Sequence, residues 1–108
     1  MSAAHRHEIL IGLHVTDDAA YDAYRAGMRP ILGTFGGSFR RDFRVSESLA
    51  DGDPAVNRVF ILSFPSVDAK ERFFADPAYK AVRAAHFDRS VAHSDIIAAF
   101  DVEDPGSP

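Results

Sequence analysis

The pattern of apolar and polar positions is clearest over residues 9–15, Ile-Leu-Ile-Gly-Leu-His-Val, which predict a central β-strand. Because side chains alternate across a strand, its residues divide into two sets. The uniformly apolar set is Ile9, Ile11, Leu13 and Val15. The mixed set is Glu8, Leu10, Gly12 and His14. The first face suits the underside of a helix layer, whereas the second face needs a different cover.

A helical spacing of apolar residues follows this strand. Thr16-Asp17-Asp18 offers a capping side chain and negative charge in the first turn, and Gly36-Gly37 is typical of a helix end. The apolar stripe between these signals is Tyr21, Tyr24, Met28, Ile31, Leu32 and Phe35. Pro30 interrupts the stripe and lacks an N–H, so we expect a kink or a restart of the helix there.

Three further strands and two short helices complete the pattern. Residues 39–45 alternate Phe39, Arg41, Phe43 and Val45 with charged residues, which favours a strand near the sheet edge. Residues 46–57 form a turn-rich loop, 58–64 a strand that is apolar on both faces, and 94–102 the last strand. Ser66 and Asp76-Pro77 are predicted to begin two helices. The second carries Tyr79, Val82 and His86 on one face, with Phe87 as a further candidate for it.

This order of elements predicts an α+β, ferredoxin-like βαββαβ fold with a four-stranded antiparallel sheet. We expect residues 1–102 to form a single domain and 103–108 a flexible C-terminal tail. The helices can cover one face of the sheet only, yet strand 58–64 is apolar on both faces. A large exposed apolar patch is unusual on a soluble monomer, so the pattern predicts a homodimer whose sheets face each other as a barrel.

Composition narrows the classes of partner. The net charge of −4 argues against binding to nucleic acid or to anionic membranes. The chain has no cysteine, which excludes disulfides and thiol chemistry. Apolar runs fall short of the roughly 20 residues that a membrane span needs, and the first residues lack the apolar core of a signal peptide. We therefore expect a cytoplasmic protein with no nucleic-acid partner and no membrane partner.

Three segments resemble one family. Tyr21, Tyr24 and Pro30 followed by Phe35-Gly36-Gly37 are similar to the Tyr-x-x-Tyr…Pro…Tyr-Gly-Gly pattern of the family known as domain of unknown function 1330. The segments Ser63-Phe64-Pro65-Ser66 and Phe73-Phe74-Ala75-Asp76-Pro77-Ala78-Tyr79 resemble two further patterns of that family, and the likeness spans roughly residues 8–102. The resemblance implies a dimeric α/β-barrel, in a superfamily that also contains cofactor-free oxygenases, isomerases and haem-handling enzymes.

The chain departs from the family pattern at two of these positions. Phe73 occupies a position where the family usually has tryptophan, and His86 occupies one where arginine is expected. A neutral histidine would bind an anion less well than arginine at pH 7.

Several residues are candidates for chemistry. His14, beside the space left by Gly12, could act as a general base or anchor a ligand. The alternative is a hydrogen-bonded histidine at the dimer seam. Tyr79 and His86, seven residues apart on a helix, could bind a carbonyl or phenol oxygen, but the pattern favours the alternative of a buried tyrosine whose hydroxyl is hydrogen-bonded. Gly12, Tyr24 and Arg40 are candidates for substrate binding, and for Arg40 a solvated sheet edge is the alternative.

No cofactor-binding fingerprint is present, and we expect neither a cofactor nor a metal. His5-x-His7 has a spacing that can chelate a metal in a strand, but only Glu8 lies nearby as a carboxylate. Two functions remain open. One is a cofactor-free, oxygenase- or isomerase-like enzyme that takes a small aromatic or carbonyl metabolite in a pocket between sheet and helices. The alternative is a non-catalytic binding or structural dimer, and haem or metal handling follows from superfamily analogy alone.

Overall fold

The computed structural model describes residues 5–50 and 55–103. Its elements in chain order are β1 (His5–Val15), α1 (Asp18–Thr34), β2 (Ser38–Arg44), β3 (Arg58–Phe64), α2 (Val67–Ala75), α3 (Pro77–Val82), a π-helical turn (Arg83–Phe87) and β4 (Val91–Glu103). Residues 51–54 of the predicted loop and residues 104–108 of the predicted tail lie outside the described residues. No helix in the described ranges is long and apolar enough to cross a membrane.

The four strands form one antiparallel sheet in the order β2-β3-β1-β4. β1 therefore has a neighbour on each side, and the predicted α+β, ferredoxin-like arrangement with β1 in the interior is confirmed. β1 begins at His5, four residues earlier than predicted, because the register extends to His5 opposite Glu103 of β4.

The helices cover one face of this sheet, and the main core lies between the helices and that face. Its buried side chains from the strands are Ile9, Leu13, Val15, Phe60, Leu62 and Phe64, and those from the helical segments are Tyr21, Tyr24, Met28, Leu32, Phe73, Tyr79 and Phe87. Ten of these thirteen residues belong to the two predicted strands 9–15 and 58–64 or to the predicted apolar stripe of α1. Aromatic rings fill much of this core because they bury large apolar areas.

We call the opposite side of the sheet the helix-free face. Residues directly opposite each other in an antiparallel pair share a face, so the register of Leu10 with Ile61 and of Gly12 with Val59 assigns these residues to it. Leu10, Val59 and Ile61 are half-buried. Phe43 and Phe100 belong to the same face by register, with 55% and 38% of their surfaces exposed.

The ends of α1 follow the predicted signals, and the helix continues through Pro30. The Asp17 side chain accepts a hydrogen bond from the N–H of Ala20 at 3.0 Å, and Gly36 adopts a φ of 74°, which glycine tolerates without steric cost. The predicted restart at Pro30 is wrong, since α1 runs through this residue to Thr34. Pro30 and Ala26, one turn earlier, are both exposed, so water can reach the carbonyl that loses its N–H partner.

The predicted alternation along β2 is wrong in its second half. The register with β3 shifts between Phe39 and Arg41, which is the signature of a β-bulge at this edge strand. Phe39 is opposite Leu62 on the helix side, whereas Phe43 is opposite Val59 on the helix-free face. The extra residue thereby also turns Asp42 toward the helices.

Asn57 joins the loop before β3 to the end of β1. Its side-chain amide accepts a hydrogen bond from Val15 N–H and donates one to Val15 C=O, both at 2.8 Å. Its backbone N–H donates to the carbonyl of Leu13 at 2.9 Å, and its carbonyl accepts from Val45 N–H at 2.9 Å. Asn57 therefore pairs backbone groups at the end of the sheet that would otherwise lack a hydrogen-bond partner.

We expect Asn57→Ala to lower the free energy of unfolding by about 1–3 kcal/mol, because two partly buried hydrogen bonds to Val15 are lost. Asn57→Asp should cost at least as much, since a carboxylate cannot donate to the Val15 carbonyl. Urea unfolding followed by circular dichroism measures both. Ser46→Ala, an exposed position of the same loop, is the control, and equal unfolding midpoints for Asn57→Ala and Ser46→Ala would contradict this role.

Candidate functional site

A cavity of about 300 Å³ lies between the helix layer and the sheet. Most of its wall is apolar, with side chains that include Ile11, Leu13, Met28, Phe39, Phe60 and Leu62. Tyr21, Tyr24, Tyr79 and Arg83 add polar groups to this wall. An apolar cavity with a few converging polar groups is the usual form of a small-molecule site.

The hydroxyl groups of Tyr24 and Tyr79 form a hydrogen bond of 2.9 Å. Tyr24 belongs to α1 and Tyr79 to α3, where Asp76 caps the helix by accepting from Tyr79 N–H at 3.1 Å. Both tyrosines are buried. In such a pair one hydroxyl donates to the other, and the accepting hydroxyl keeps its own proton for a third atom. The pair therefore has one donor left for a ligand.

The environment keeps Tyr24 protonated. Burial raises the pKa of the Tyr24 hydroxyl above its ordinary value, and its hydrogen bond with Tyr79 raises it further, while the charge of Arg83 acts in the opposite direction. Tyr24 is therefore neutral at physiological pH, which makes it a hydrogen-bond donor or acceptor and not a base.

Arg83 lies at the exposed rim of the cavity, where sequence reasoning did not place a functional residue. Its guanidinium carbon is 4.4 Å from the centroid of the Phe87 ring, a cation–π contact. The signal that could have found it is its spacing of four residues from Tyr79, which places both on one face of a helix.

The π-helical turn explains why His86 is not part of the cavity wall. The N–H of Asp88 donates to the carbonyl five residues earlier, on Arg83, at 3.3 Å. This turn contains one more residue than an α-helical turn, so the buried position in the cavity wall falls to Phe87. His86 is half-buried outside the wall, and its Nδ1 has no hydrogen-bond partner among the described residues. The structure therefore does not bring His86 to Tyr79 across the cavity.

Three other predicted site residues lie on the helix-free face. His14 is half-buried there, opposite His93 of β4. The space beside Gly12 contains the side chains of Val56 and Ile97, whose nearest atoms are 3.3 Å and 3.2 Å from where a Cβ would stand. Arg40 Nε is 3.4 Å from the carboxylate of the buried Glu8. None of the three lines the cavity, so of the six predicted site residues the structure brings Tyr24 and Tyr79 together.

The His5-x-His7 pair does not converge on further metal ligands. His7 Nδ1 is 2.8 Å from the carboxylate of Asp101 on β4. Within the described ranges, no group of three or more histidine, aspartate or glutamate side chains is arranged to hold a metal ion.

An ion pair supports the cavity wall behind Tyr21. Arg25 contacts Asp42 through two hydrogen bonds, of 2.5 Å from Nη1 and 2.9 Å from Nη2, and its Nε donates to the Tyr21 hydroxyl at 3.0 Å. The guanidinium also lies 4.4 Å from the centroid of Phe39 and 5.1 Å from that of Phe60. The hydrogen bonds from Arg25 hold the pKa of the Asp42 carboxyl below its usual range. Burial raises the pKa of Tyr21, against the charge of Arg25.

Comparison with known proteins adds the family. The model of the family described as domain of unknown function (DUF1330) matches residues 9–101. The chain belongs to this family. The resemblance inferred from Tyr21, Tyr24 and Gly36-Gly37 is thereby confirmed. No curated protein matches the chain.

Solved structures show the same fold at low sequence identity. A protein of unknown function from Rhodopseudomonas palustris is 21% identical, with a TM-score of 0.72 over 97% of this chain and 85% of the other. A dimeric protein of unknown function with a ferredoxin-like fold from Bacteroides fragilis is 12% identical, with a TM-score of 0.55 over 92% and 96%. SnoaB, a cofactor-independent oxygenase from Streptomyces nogalater, is 17% identical, with a TM-score of 0.54 over 98% and 97%.

The Asp42 carboxyl should make stability depend on pH. Because its folded-state pKa is depressed, the ion pair stabilises the fold fully above the unfolded-state pKa of about 3.9 and is lost as the pH falls through the lower folded-state value. We expect the urea midpoint of the wild type to fall more steeply below about pH 4 than that of Asp42→Asn. Asp68→Asn removes an exposed partner of Arg72 and should follow the wild type. If Asp42→Asn keeps the wild-type pH dependence, Asp42 does not carry this effect.

Proposed function

We propose that this protein is a cofactor-free enzyme, oxygenase- or isomerase-like, that takes a small aromatic or carbonyl metabolite in the cavity between sheet and helices. The observation that carries the proposal is the hydrogen-bonded pair of Tyr24 and Tyr79 in an otherwise apolar wall. The chain is similar in fold to SnoaB, a cofactor-independent oxygenase, and this similarity is consistent with the proposal. At 17% identity a shared fold is not evidence of a shared activity.

The tyrosine pair suits reactions that place negative charge on a ligand oxygen. The free proton of the pair can be donated to a carbonyl or phenol oxygen, and this hydrogen bond strengthens when an enolate or phenolate forms. Because the surrounding wall is apolar, the interaction is not weakened by competing water. The pair thus lowers the cost of forming a carbanion equivalent without a bound cofactor.

Non-catalytic binding is the second candidate, and one observation favours it. Among the described residues that line the cavity there is no histidine, and the one carboxylate, Asp95, is paired in register with Gly12 on the helix-free face. The cavity therefore offers a donor for an oxyanion but no evident base. Turnover separates the two candidates: oxygen uptake with a phenol, or solvent deuterium entering the α-position of a ketone, supports the enzyme. Binding with neither reaction supports the binding protein.

We also propose that a second copy of the chain covers the helix-free face. Ile97 and Phe43 expose 50% and 55% of their surfaces there, next to the half-buried Leu10, Val59 and Ile61. Apolar side chains thus run across all four strands on a face that no described helix covers. Two such sheets would cover each other through a self-complementary, two-fold interface. The dimeric protein from Bacteroides fragilis with this fold supports the proposal.

Removing the tyrosine hydroxyls tests the site. We expect Tyr24→Phe and Tyr79→Phe each to weaken binding of acetophenone or 1-naphthol about fivefold to tenfold, as measured by calorimetry. Each single variant leaves one buried hydroxyl unpaired and should lose about 1–3 kcal/mol of stability, whereas the double variant should recover part of it. Thr34→Val removes a hydroxyl outside the cavity and is the control. A double variant that binds both probes as tightly as the wild type would refute the role of the pair.

Charge placed on the helix-free face tests the dimer. At micromolar concentration we expect light scattering to give the mass of two chains for the wild type and of one chain for Ile97→Asp and Phe43→Asp, because a buried, unpaired carboxylate opposes association. Val67→Asp changes an exposed apolar residue at the start of α2 and should remain dimeric. A monomeric wild type, or an Ile97→Asp protein as dimeric as Val67→Asp, would refute the proposed interface.

A further inference from the structure

We propose that the cavity selects a small aromatic monocarboxylate, whose carboxylate pairs with Arg83 at the rim while its ring lies against the apolar wall. This inference rests on the proposed function and adds the charge of the ligand and a specificity-determining residue to it. The inference rests on the contacts that the Arg83 guanidinium makes and on the positions of the other charged groups around the cavity.

The charge of Arg83 is only weakly compensated by its nearest acidic partner. Its nearest carboxylate among the described residues is that of Asp88, 3.9 Å from Nε, and 44% and 66% of the two side chains are exposed. An exposed pair at that distance contributes little. No hydrogen bond from the guanidinium to another described residue is present, so both Nη groups are available to a ligand.

The position of Arg83 is nevertheless defined. Its guanidinium carbon lies 4.4 Å from the centroid of the buried Phe87 ring, and Phe87 in turn packs edge-on against Tyr24 at 5.0 Å. Arg83, Phe87 and Tyr24 thus form one continuous part of the cavity wall. A planar guanidinium held against a ring presents its outer nitrogens as a fork, which matches the two oxygens of a carboxylate.

The other charges near the cavity do not compete for this role. Arg25, behind the wall, is already paired with Asp42 through two hydrogen bonds. Ser94 and Ile96 of β4 are opposite Leu13 and Ile11 on the cavity side, whereas the intervening Asp95 is opposite Gly12 on the helix-free face.

The cavity therefore has the weakly compensated charge of Arg83 at its rim and a mainly apolar interior, and the one carboxylate among its described wall residues, Asp95, belongs by register to the helix-free face. This combination favours a ligand with one negative charge and an apolar body. A neutral ligand would make no ion pair with Arg83, and a second negative charge on the ligand would lack a partner.

Pairs of ligands of nearly the same shape, one a carboxylate and the other its neutral amide, test the inference. We would titrate the full-length protein by calorimetry at pH 7.5 with benzoate and benzamide, trans-cinnamate and trans-cinnamamide, and 1-naphthoate and 1-naphthamide. At least one carboxylate should bind about tenfold more tightly than its amide. Arg83→Gln should abolish that preference and leave the affinity for the amide unchanged within about twofold. Arg83→Lys, which keeps the charge but not the fork, should give an intermediate preference.

Arg89→Gln is the matched control, because Arg89 is an exposed arginine near the π-helical turn that does not line the cavity. It makes the same change in net charge and should keep the wild-type preference. Equal binding of carboxylate and amide by the wild type, or a preference that survives in Arg83→Gln or disappears equally in Arg89→Gln, would overturn this inference and leave the cavity as a binding site. If no member of any pair binds to the wild type, the proposed function fails and this inference fails with it. If Arg83→Gln does not fold, the carboxylate-over-amide preferences of the wild type and of Arg83→Lys still test the inference.

Discussion

The hydrogen bond between the hydroxyl groups of Tyr24 and Tyr79 is the interaction on which the helix side of this fold depends. A buried tyrosine hydroxyl costs free energy unless it is paired, and neither residue has another side-chain partner for its hydroxyl among the described residues. The pair links α1 to α3 above the sheet. Both residues line the cavity between the helices and the sheet, so the remaining hydroxyl proton lies next to space that a ligand can enter. Stability and an accessible donor therefore arise from the same contact.

The Arg25–Asp42 ion pair begins at the next residue of α1 and links this helix to β2. Its partner Asp42 faces the helices only because the bulge in β2 shifts the register by one residue after Phe39. The pair is buried on the Arg25 side only, and the cost of removing that guanidinium from water offsets part of the attraction, so the pair alone is weak evidence for stability. Here the contacts of Arg25 with the Tyr21 hydroxyl and with the Phe39 ring give the pair a further consequence. They orient two aromatic side chains that form the cavity wall, so the bulge helps to shape the site.

Most of the fold could be predicted from the sequence, because it is encoded in local patterns. Strand alternation around Ile9, the cap at Asp17 and the glycine stop at Gly36 each act within a few residues, and the structure agrees with all three. The predictions that were wrong concern places where the repeat of side chains along a strand or helix shifts by one residue. A bulge after Phe39 and a π-helical turn before Phe87 each insert one residue, which moves Phe43 and His86 away from the faces that a regular repeat assigns to them.

The candidate site was predicted only in part for the same reason. Tyr24 and Tyr79 belong to regular helical stripes, whereas the importance of Arg83 depends on the irregular turn in which it lies. His14 and Gly12 were assigned correctly to the mixed face of β1, but alternation does not say which face has a cavity. That depends on how the helices pack, which is a tertiary property.

The overall charge of the chain and the charge of Arg83 at the cavity rim have opposite signs. The distance over which each charge acts decides which of the two a ligand experiences. Four net negative charges seen from about 15 Å in water oppose an anion by only about 1 kcal/mol before screening, and a Debye length of about 8 Å at physiological salt removes most of this. A carboxylate at 4 Å from a guanidinium gains about 4 kcal/mol at an effective dielectric constant of 20. The 44% exposure of Arg83 reduces that gain to the order of 1 kcal/mol, yet it acts at contact distance, where salt screens it little. The local charge therefore dominates at the rim, and an acidic protein can still present a site for an anion.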